Sequence, residues 1–276
     1  MSDVKKKIKS APKDKLGRGG GLSNYAYAML SVAGILSFLL IWQLLVQTGI
    51  VSGRYLAKPT EVISLFFYKL SNANPDGATI PTSLVSSLKV ALTGFLLALV
   101  TGIPIGLLMG WYKGFRNFFR PVFEIIRPIP PISWISLTIL WLGIGVRAKA
   151  FIIFFAAFIP CVINSATGIQ QTSETLINFA KTCGASNIET FFKVGIPSSL
   201  PIMFAGIRVA LGNAWATLVA AEMLAADAGI GYMILMGRSF ARADIVILGM
   251  VIIGAVGAFF TGLLSFVERH VIKWRI

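Results

Sequence analysis

The sequence predicts an all-α membrane protein with about six transmembrane helices and both termini in the cytoplasm. Of its 276 residues, 56% are hydrophobic and only 13% are charged. The hydrophobic residues also form long continuous runs, and a helix needs about 20 apolar residues to span the roughly 30 Å hydrocarbon layer. Continuous runs argue against a spanning β-barrel, whose strands alternate over about ten residues. The composition therefore predicts a helical membrane domain.

Six runs fit a membrane span, at residues 25–48, 84–110, 130–145, 149–170, 199–223 and 245–267. They predict one membrane domain over 25–276, preceded by a basic tail over 1–24 that we expect in the cytoplasm. The first run exceeds the 7 to 15 residues of a signal-peptide core, and no clear small-residue cleavage site follows it. We therefore expect this first helix to be retained.

The basic residues give the orientation of the predicted helices. Threading six helices from a cytoplasmic start puts 15 lysines and arginines on the inner side. Seven lie on the outer side: Arg54, Lys58, Lys69, Arg147, Lys149, Arg238 and Arg242. This distribution follows the positive-inside rule. The net charge of +14 thus follows mainly from this topology, and the basic residues can also be attracted to anionic lipid headgroups. We therefore expect membrane lipid, and no nucleic acid, as a partner.

Between the first two runs, residues 57–70 have the pattern of an amphipathic helix that starts at Pro59 or Thr60. We expect it to lie along the outer membrane surface. Small residues then recur at four-residue intervals within the second run, a pattern that allows close approach of a neighbouring helix: Ala98, Gly102, Gly106 and Gly110.

A polar stretch, 178–197, separates two of the runs and predicts two short helices bent about Gly184. Glycine suits the left-handed position after a helix end. Ser186 and Glu189, three residues apart, form a capping box for the second helix. Pro197 then suits the start of the next membrane helix.

This stretch resembles the cytoplasmic loop by which ABC importer permeases dock onto their ATPase. The family pattern is Glu-Ala-Ala, three residues, Gly, nine residues, Ile-x-Leu-Pro; Asn178 and Phe179 replace its first two letters. The resemblance implies that residues 171–198 couple the chain to an ATPase. It assigns that role to Ala180, Gly184, Ala185, Ser186, Glu189, Phe191, Lys193 and Pro197.

A second motif is the run Arg-Pro-Ile-Pro-Pro-Ile-Ser-Trp at 127–134. Its prolines remove backbone donors, and irregular backbone at membrane depth must be buried in protein or face water. The run resembles permeases of the sulfonate, nitrate and bicarbonate branch of ABC importers, which places Ser133, Trp134 and Ser136 near the translocation path. Arg127 either belongs to that path or extends to the cytoplasmic interface.

The fifth run resembles the same branch through its Ala-Trp, Ala-Ala-Glu and Gly-x-Gly-Tyr elements. Polar side chains inside a span must face protein or water. Asn213 and Thr217 therefore either bond between helices or line the path, and Asn164 in the fourth run is a further candidate for the path or gate. Glu222, near the outer end, either holds the gate region by pairing with Arg238 or Arg242, or meets substrate.

The resemblance implies the type I ABC importer permease fold in a bacterial cytoplasmic (inner) membrane. It implies a second permease copy, two ATP-binding subunits and an extracytoplasmic substrate-binding protein. The sequence contains no Gly-x-x-x-x-Gly-Lys-[Ser/Thr] loop. We accordingly expect no cofactor, metal or catalytic residue in this chain, with ATP and magnesium held by the partner ATPase.

An organic sulfonate such as taurine, or another small oxyanion, is the expected cargo. Two other classes stay open at this point: a secondary transporter or channel, and a membrane scaffold subunit. The first usually shows internal repeats or intramembrane ionisable relays, which are weak here. The second explains the small-residue stripe but not the capped loop.

Overall fold

The computed structural model describes residues 24–225 and 228–272, so the predicted tail 1–24, apart from Asn24, lies outside the described residues. Eleven α-helices, numbered α1 to α11, follow one another in this part of the chain: Asn24–Gln47, Pro59–Ser71, Ile80–Trp111, Lys113–Ile126, Ile135–Leu142, Val146–Gln170, Glu174–Thr182, Asn187–Thr190, Ile196–Ala225, Ile230–Ser239 and Ala243–Val271. A 3-10 turn, Pro131–Trp134, precedes α5. A π-helical segment, Phe191–Gly195, joins α8 to α9.

Within the described residues, five helical stretches are long and apolar enough to cross a membrane: Met29–Gln47, Ile80–Trp111, Val146–Gln170, Asn187–Leu224 and Ala243–Val271. They confirm five of the six predicted runs. The stretch Asn187–Leu224 runs from α8 through the π-helical segment into α9 as one helix of 38 residues.

The third predicted span, 130–145, is not a single membrane-crossing helix. Its helical part ends at Leu142, and it joins α4 at a bend of 84°. The bend has a local cause, because Pro128, Pro130 and Pro131 lack the amide donors that a continuing helix needs. At 1.5 Å per residue, Pro131–Leu142 is too short to cross the bilayer alone. Together with α4 it forms a sixth, broken candidate span.

The described part of the chain divides into two compact units, with the division between Val51 and Ser52. In the first unit, α1 is one long apolar helix of 24 residues, about 36 Å at the standard rise. Many of its apolar side chains, including Met29, Ile35 and Phe38, are exposed. Such a surface suits a helix surrounded by lipid.

The second unit is built around α6, which packs between α3 and α9. Small residues make this close packing possible, as the four-residue stripe in the second run predicts. A Cβ added to Gly106 would lie 2.5 Å from the Val162 carbonyl oxygen, and one added to Gly102 would lie 3.0 Å from the Cys161 Cβ. The shared core consists of Val90, Ala91, Phe95, Ala98, Ile153, Ala157, Cys161, Ala210, Ala214 and Leu218.

A second core joins α2, α10 and α11 and contains Val62, Ile230 and Ile245. The predicted amphipathic helix is confirmed as α2, which starts at Pro59. Its Lys69, counted above among the outer basic residues, is fully buried and forms an ion pair with the buried Asp76. This pair fastens the end of α2 to the turn before α3.

Candidate functional site

The 171–198 segment has the backbone geometry that its sequence predicts. Gly184 follows α7 with φ +85°, and hydrogen bonds from the Gly184 and Ala185 amides return to the Lys181 and Ala180 carbonyls at 2.9 and 3.0 Å. This pair of bonds is the Schellman helix end, in which glycine takes the left-handed position. The open carbonyls of α7 are therefore satisfied inside the segment.

The predicted capping box is also present. The Glu189 amide donates to Ser186 Oγ at 3.2 Å, while the Ser186 amide donates to Glu189 Oε2 at 3.0 Å. Thr190 is fully buried and donates to the Ser186 carbonyl at 2.9 Å. Bonds within a few residues thus hold α7 and α8 in a defined angle.

One side of this segment packs against the end of α3. Phe191 is buried, and its ring lies 5.5 Å from the Trp111 ring and 6.0 Å from the Tyr112 ring, measured between centroids. A Cβ added to Gly195 would lie 2.9 Å from Trp111 Cζ3, so the ring rests directly on that backbone. The base of the segment is therefore continuous with the membrane bundle.

Much of the remaining surface of the segment is exposed. Four large apolar side chains there are between 50% and 69% exposed: Leu176, Phe179, Ile188 and Phe192. Lys193 pairs with Glu189 at 3.5 Å among them. Exposed apolar groups beside charged ones are typical of a protein-binding surface. We call Leu176, Phe179, Ile188 and Phe192 the apolar tip.

The eight predicted coupling residues thus divide between the two sides. Phe191 is buried in the base, and Ala180, Ala185 and Pro197 are half-buried. The exposed residues are Gly184, Ser186, Glu189 and Lys193. The sequence interpretation did not select Leu176, Ile188, Phe192 or Trp111, because apolar residues in a helical hairpin give no signal of which side they occupy.

The proline-rich motif forms a corner beside α6. Trp134 stacks on Phe155 with ring centroids 4.9 Å apart and a 14° angle between planes. Thr138 donates to the Trp134 carbonyl at 2.6 Å. Ser133 and Ser136 are exposed. Trp134 therefore anchors this corner, while the two serines are open to solvent or a partner.

Arg127, at the end of α4, is exposed beside two other arginines. Arg116 donates to the Met109 and Gly110 carbonyls at the end of α3, at 3.0 Å each. Arg120 bonds to Glu124 at 2.7 Å. Together these groups line a cleft between α4 and α6.

Glu222, on α9, is 1% exposed and lies at the opposite end of the bundle from α7. Ser87 Oγ on α3 donates to its carboxylate, with distances of 2.7 and 2.9 Å to the two oxygens. The Gly231 amide donates to Glu222 Oε2 at 2.9 Å, and the Ile230 amide donates to Ser87 Oγ at 2.9 Å. The buried Glu222 carboxyl group is thus satisfied by hydrogen bonds from a side chain and a backbone amide, as a buried polar group requires.

The expected pairing of Glu222 with Arg238 or Arg242 is wrong. Arg242 instead bonds to Asp244 at 2.9 and 2.6 Å. The Glu222 carboxylate occupies the first turn of α10, where amide donors lack partners within the helix and negative charge is stabilised. Glu222 is therefore a helix cap that joins α3, α9 and α10.

This arrangement explains the Gly-x-Gly pattern at 229–231. Gly229 has φ +132°, and a Cβ there would overlap the Glu222 carboxylate. A Cβ on Gly231 would lie 2.7 Å from the Val219 carbonyl oxygen and 2.8 Å from Glu222 Cβ. The Ala-Ala-Glu and Gly-x-Gly-Tyr elements are two halves of one packed structure.

The remaining predicted path residues lie on α6 and α9. Asn164 donates to the Pro160 carbonyl at 2.9 Å and packs so closely on Gly206 that a Cβ there would overlap it. Thr217 is buried, whereas Asn213 is exposed. Among the described residues, no group of three or more His, Cys, Asp or Glu side chains is placed to hold a metal ion.

Residues 102–273 match the family described as binding-protein-dependent transport system inner membrane component. An ABC transporter permease protein of Methanocaldococcus jannaschii is 37% identical over 236 residues, which cover 85% of this chain and 88% of that protein. The taurine transport system permease protein TauC of Escherichia coli is 30% identical, with 89% of each chain covered. The nitrate import permease protein NrtB of Synechocystis is 30% identical, with 85% of this chain and 86% of that protein covered.

The fold is similar to that of a solved structure, the MetNI methionine ABC transporter in its inward-facing conformations. The match has a TM-score of 0.58 at 18% sequence identity. It covers 68% of this chain and 94% of the other.

Proposed function

The chain belongs to the family of binding-protein-dependent transport system inner membrane components, and from that membership we propose that its cargo is an organic sulfonate such as taurine or another small oxyanion. The chain is a multi-pass inner membrane protein and the permease subunit of an ABC importer, with the type I permease fold. It is therefore a transport subunit. The relatives named for taurine and nitrate support this cargo class, since taurine carries a sulfonate group and nitrate is itself an oxyanion, so both present negatively charged oxygen atoms.

The proposed assembly contains two copies of this chain, two ATP-binding subunits and a substrate-binding protein. ATP and magnesium bind to the ATP-binding subunits. Both termini and the 171–198 segment lie in the cytoplasm, and the α10 end of the bundle faces the substrate-binding protein. The excess of basic residues on the inner side supports this orientation.

The apolar tip is the observation that carries the proposed coupling role. It presents four exposed apolar side chains on a segment whose backbone is held by the Schellman end at Gly184 and the box at Ser186. A rigid surface binds a partner with little loss of conformational entropy. The ATP-binding subunit docks on this tip, and its motion is passed through Phe191 to the end of α3.

In the proposed mechanism, the chain alternates between inward-open and outward-open states, and closure of the ATP-binding subunits favours the second. Ser133, Ser136 and Asn213 are exposed and are proposed to line the path. Arg127 stands at its cytoplasmic mouth. The other proposed path or gate residues pack between helices and hold the walls of the path in place: Trp134, Asn164, Thr217 and Glu222.

Uptake by proteoliposomes tests this function directly. The permease is reconstituted with its ATP-binding subunit, and the substrate-binding protein is added outside with labelled taurine or nitrate. We expect ATP-dependent uptake of at least one of these two solutes. Uptake of neither, alongside uptake by the same vesicles of a solute that lacks an oxyanion group, would reject the proposed cargo class.

The docking surface is tested separately by Phe179→Ser. Phe179 is 69% exposed, so the permease should fold normally. Co-purification of the ATP-binding subunit should fall, because an apolar contact is lost. Phe118→Ser on α4 is the matched control, since Phe118 is 76% exposed and lies outside the tip. Equal retention of the subunit by both variants would argue against docking at the tip.

A further inference from the structure

A cleft of about 280 Å³ lies where the end of α3, the helix α4 and the last turns of α6 meet. Its lining combines apolar and polar side chains: Met109, Arg116, Arg120, Phe123, Glu124, Arg127, Val162, Ile163, Ala166, Thr167 and Gln170. Its polar groups come from helices that are far apart in sequence. The fold, rather than one local motif, therefore assembles this cleft.

The charge of the cleft is positive. The lining residues include one carboxylate, that of Glu124, and three guanidinium groups, those of Arg116, Arg120 and Arg127. Arg116 is half-buried and is held by carbonyls at the end of α3, which fixes its guanidinium at the wall. Glu124 neutralises Arg120 in part, through the 2.7 Å bond. Arg127 adds a further guanidinium at the rim of the same cleft.

Guanidinium groups bind oxyanions through paired, charge-assisted hydrogen bonds. The hydroxyl of Thr167 and the amide of Gln170 provide additional donors at the α6 wall. The volume suffices for a tetrahedral group such as a sulfonate or a phosphate, with its first substituents. We infer that this cleft binds the oxyanion group of a small anion or of a lipid headgroup, with Arg120 and Arg127 as its principal charged ligands.

The two sources share this chemistry, and the position of α4 is compatible with both. Phe118, Val122 and Ile125 are exposed on α4, so this helix has an apolar surface as well as its basic one. Such a helix lies in a membrane interface, where headgroup phosphates and dissolved anions both occur. The assignment of the cleft to the cytoplasmic side rests on the proposed function. The inference that the cleft binds an oxyanion rests only on its lining residues.

Binding is measured on the full chain in nanodiscs without any partner subunit. One arm uses phosphatidylcholine nanodiscs and titrates methanesulfonate or inorganic phosphate against chloride at matched ionic strength. The other arm compares phosphatidylcholine nanodiscs with those that also contain phosphatidylglycerol. The readouts are the midpoint of thermal unfolding and, for lipid, native mass spectrometry of the retained molecules.

A rise in the midpoint with methanesulfonate or phosphate but not chloride identifies a free anion as the ligand. Retention of phosphatidylglycerol, with no response to the free anions, identifies a lipid headgroup. In either case Arg127→Gln should weaken binding by about tenfold, because one charge-assisted pair is lost. Arg127→Lys should recover only part of it, since lysine lacks the planar fork.

Lys113→Gln is the control, because Lys113 is an exposed residue of α4 that does not line the cleft. It removes the same charge from the same helix and should leave binding unchanged. The inference is overturned if wild-type protein responds in neither arm, or if the double variant Arg120→Gln, Arg127→Gln binds as well as wild type. Uptake retained in the reconstituted importer under either result would leave the proposed function standing.

Discussion

Ser87 donates a hydrogen bond of 2.7 Å to Glu222, although 135 residues separate them. The bond joins α3 to α9, and the same serine oxygen accepts from the Ile230 amide at the start of α10. Three helices therefore meet at two side chains. Loss of either side chain leaves buried polar groups without partners, which is costly in a dry interior.

Ser87→Ala should lower the free energy of unfolding by about 1–3 kcal/mol, because the buried Ile230 amide loses its acceptor and Glu222 loses a donor. Thermal unfolding of the permease in nanodiscs measures this change. Ser86→Ala is the neighbouring control, since Ser86 is only half-buried. A Ser87 variant as stable as the Ser86 variant would show that this junction contributes nothing to stability.

Gly231→Ala should destabilise the protein by about 1–3 kcal/mol through overpacking. The new methyl group would lie 2.7 Å from the Val219 carbonyl oxygen, a backbone atom that cannot move freely. At Gly114, by contrast, a Cβ would meet nothing within 4 Å. Gly114→Ala should therefore be neutral or stabilising in the same unfolding measurement. Equal effects of the two changes would contradict the close packing at Gly231.

Phe191 and Phe192 are adjacent but should respond differently to alanine. Phe191 is 6% exposed and contacts Trp111, so Phe191→Ala should cost about 3–5 kcal/mol of stability, as for other buried phenylalanines. Phe192 is 61% exposed, and its loss should leave the unfolding midpoint almost unchanged. Phe192→Ala should instead weaken co-purification of the ATP-binding subunit. Comparable unfolding midpoints for the two variants would contradict the assignment of Phe191 to the buried base and of Phe192 to the apolar tip.

Gly184→Val should uncouple ATP hydrolysis from uptake. A β-branched residue at φ +85° is strained by about 1–2 kcal/mol, so the Schellman end should open and α8 should lose its fixed angle. Open space surrounds the position, so a steric clash is not the cause. The ratio of anion taken up to ATP hydrolysed in proteoliposomes measures the effect, with Gly114→Val as the control. An unchanged ratio would remove Gly184 from the coupling mechanism.

Asp76→Asn should destabilise the protein by about 3–5 kcal/mol, because the fully buried Lys69 ammonium loses its counter-charge. Replacing both members, in Lys69→Met with Asp76→Leu, should restore much of that stability. Glu124→Gln is the contrasting control, since the Arg120–Glu124 pair is exposed and its loss should be barely measurable. Equal effects for the buried and exposed pairs would contradict this interpretation of burial.

Local patterns were sufficient to predict the 171–198 segment. The Gly184 bend and the Ser186–Glu189 box depend on residues within a few positions of each other, so their chemistry can be recognised in the sequence. The same holds for α2, which begins at the predicted Pro59. The membrane runs were predictable because hydrophobic length is itself the signal.

The remaining features depend on contacts between distant residues. Nothing near Ser87 indicates that it meets Glu222, and pairing by charge alone suggested the wrong partners. The bend after α4 is an exception, because its cause is local: the prolines predict irregular backbone but not the angle, and the apolar run 130–145 was therefore predicted as one span. Lys69 was counted only as a basic residue on the outer side, because the sequence does not reveal its burial against Asp76.

The uninterrupted helical stretch from Asn187 to Leu224 has a mechanical consequence. Its 38 residues form an arm of about 57 Å at the standard helical rise. Trp111 rests on this arm at Gly195, near its base, so a force applied at Phe192 acts on α3 and α9 together. Gly184 lies outside the arm, and the Schellman end fixes the angle at which α7 meets it. Under the proposed function, a force that the ATP-binding subunit applies to the short end would therefore turn the far end, where Glu222 caps α10.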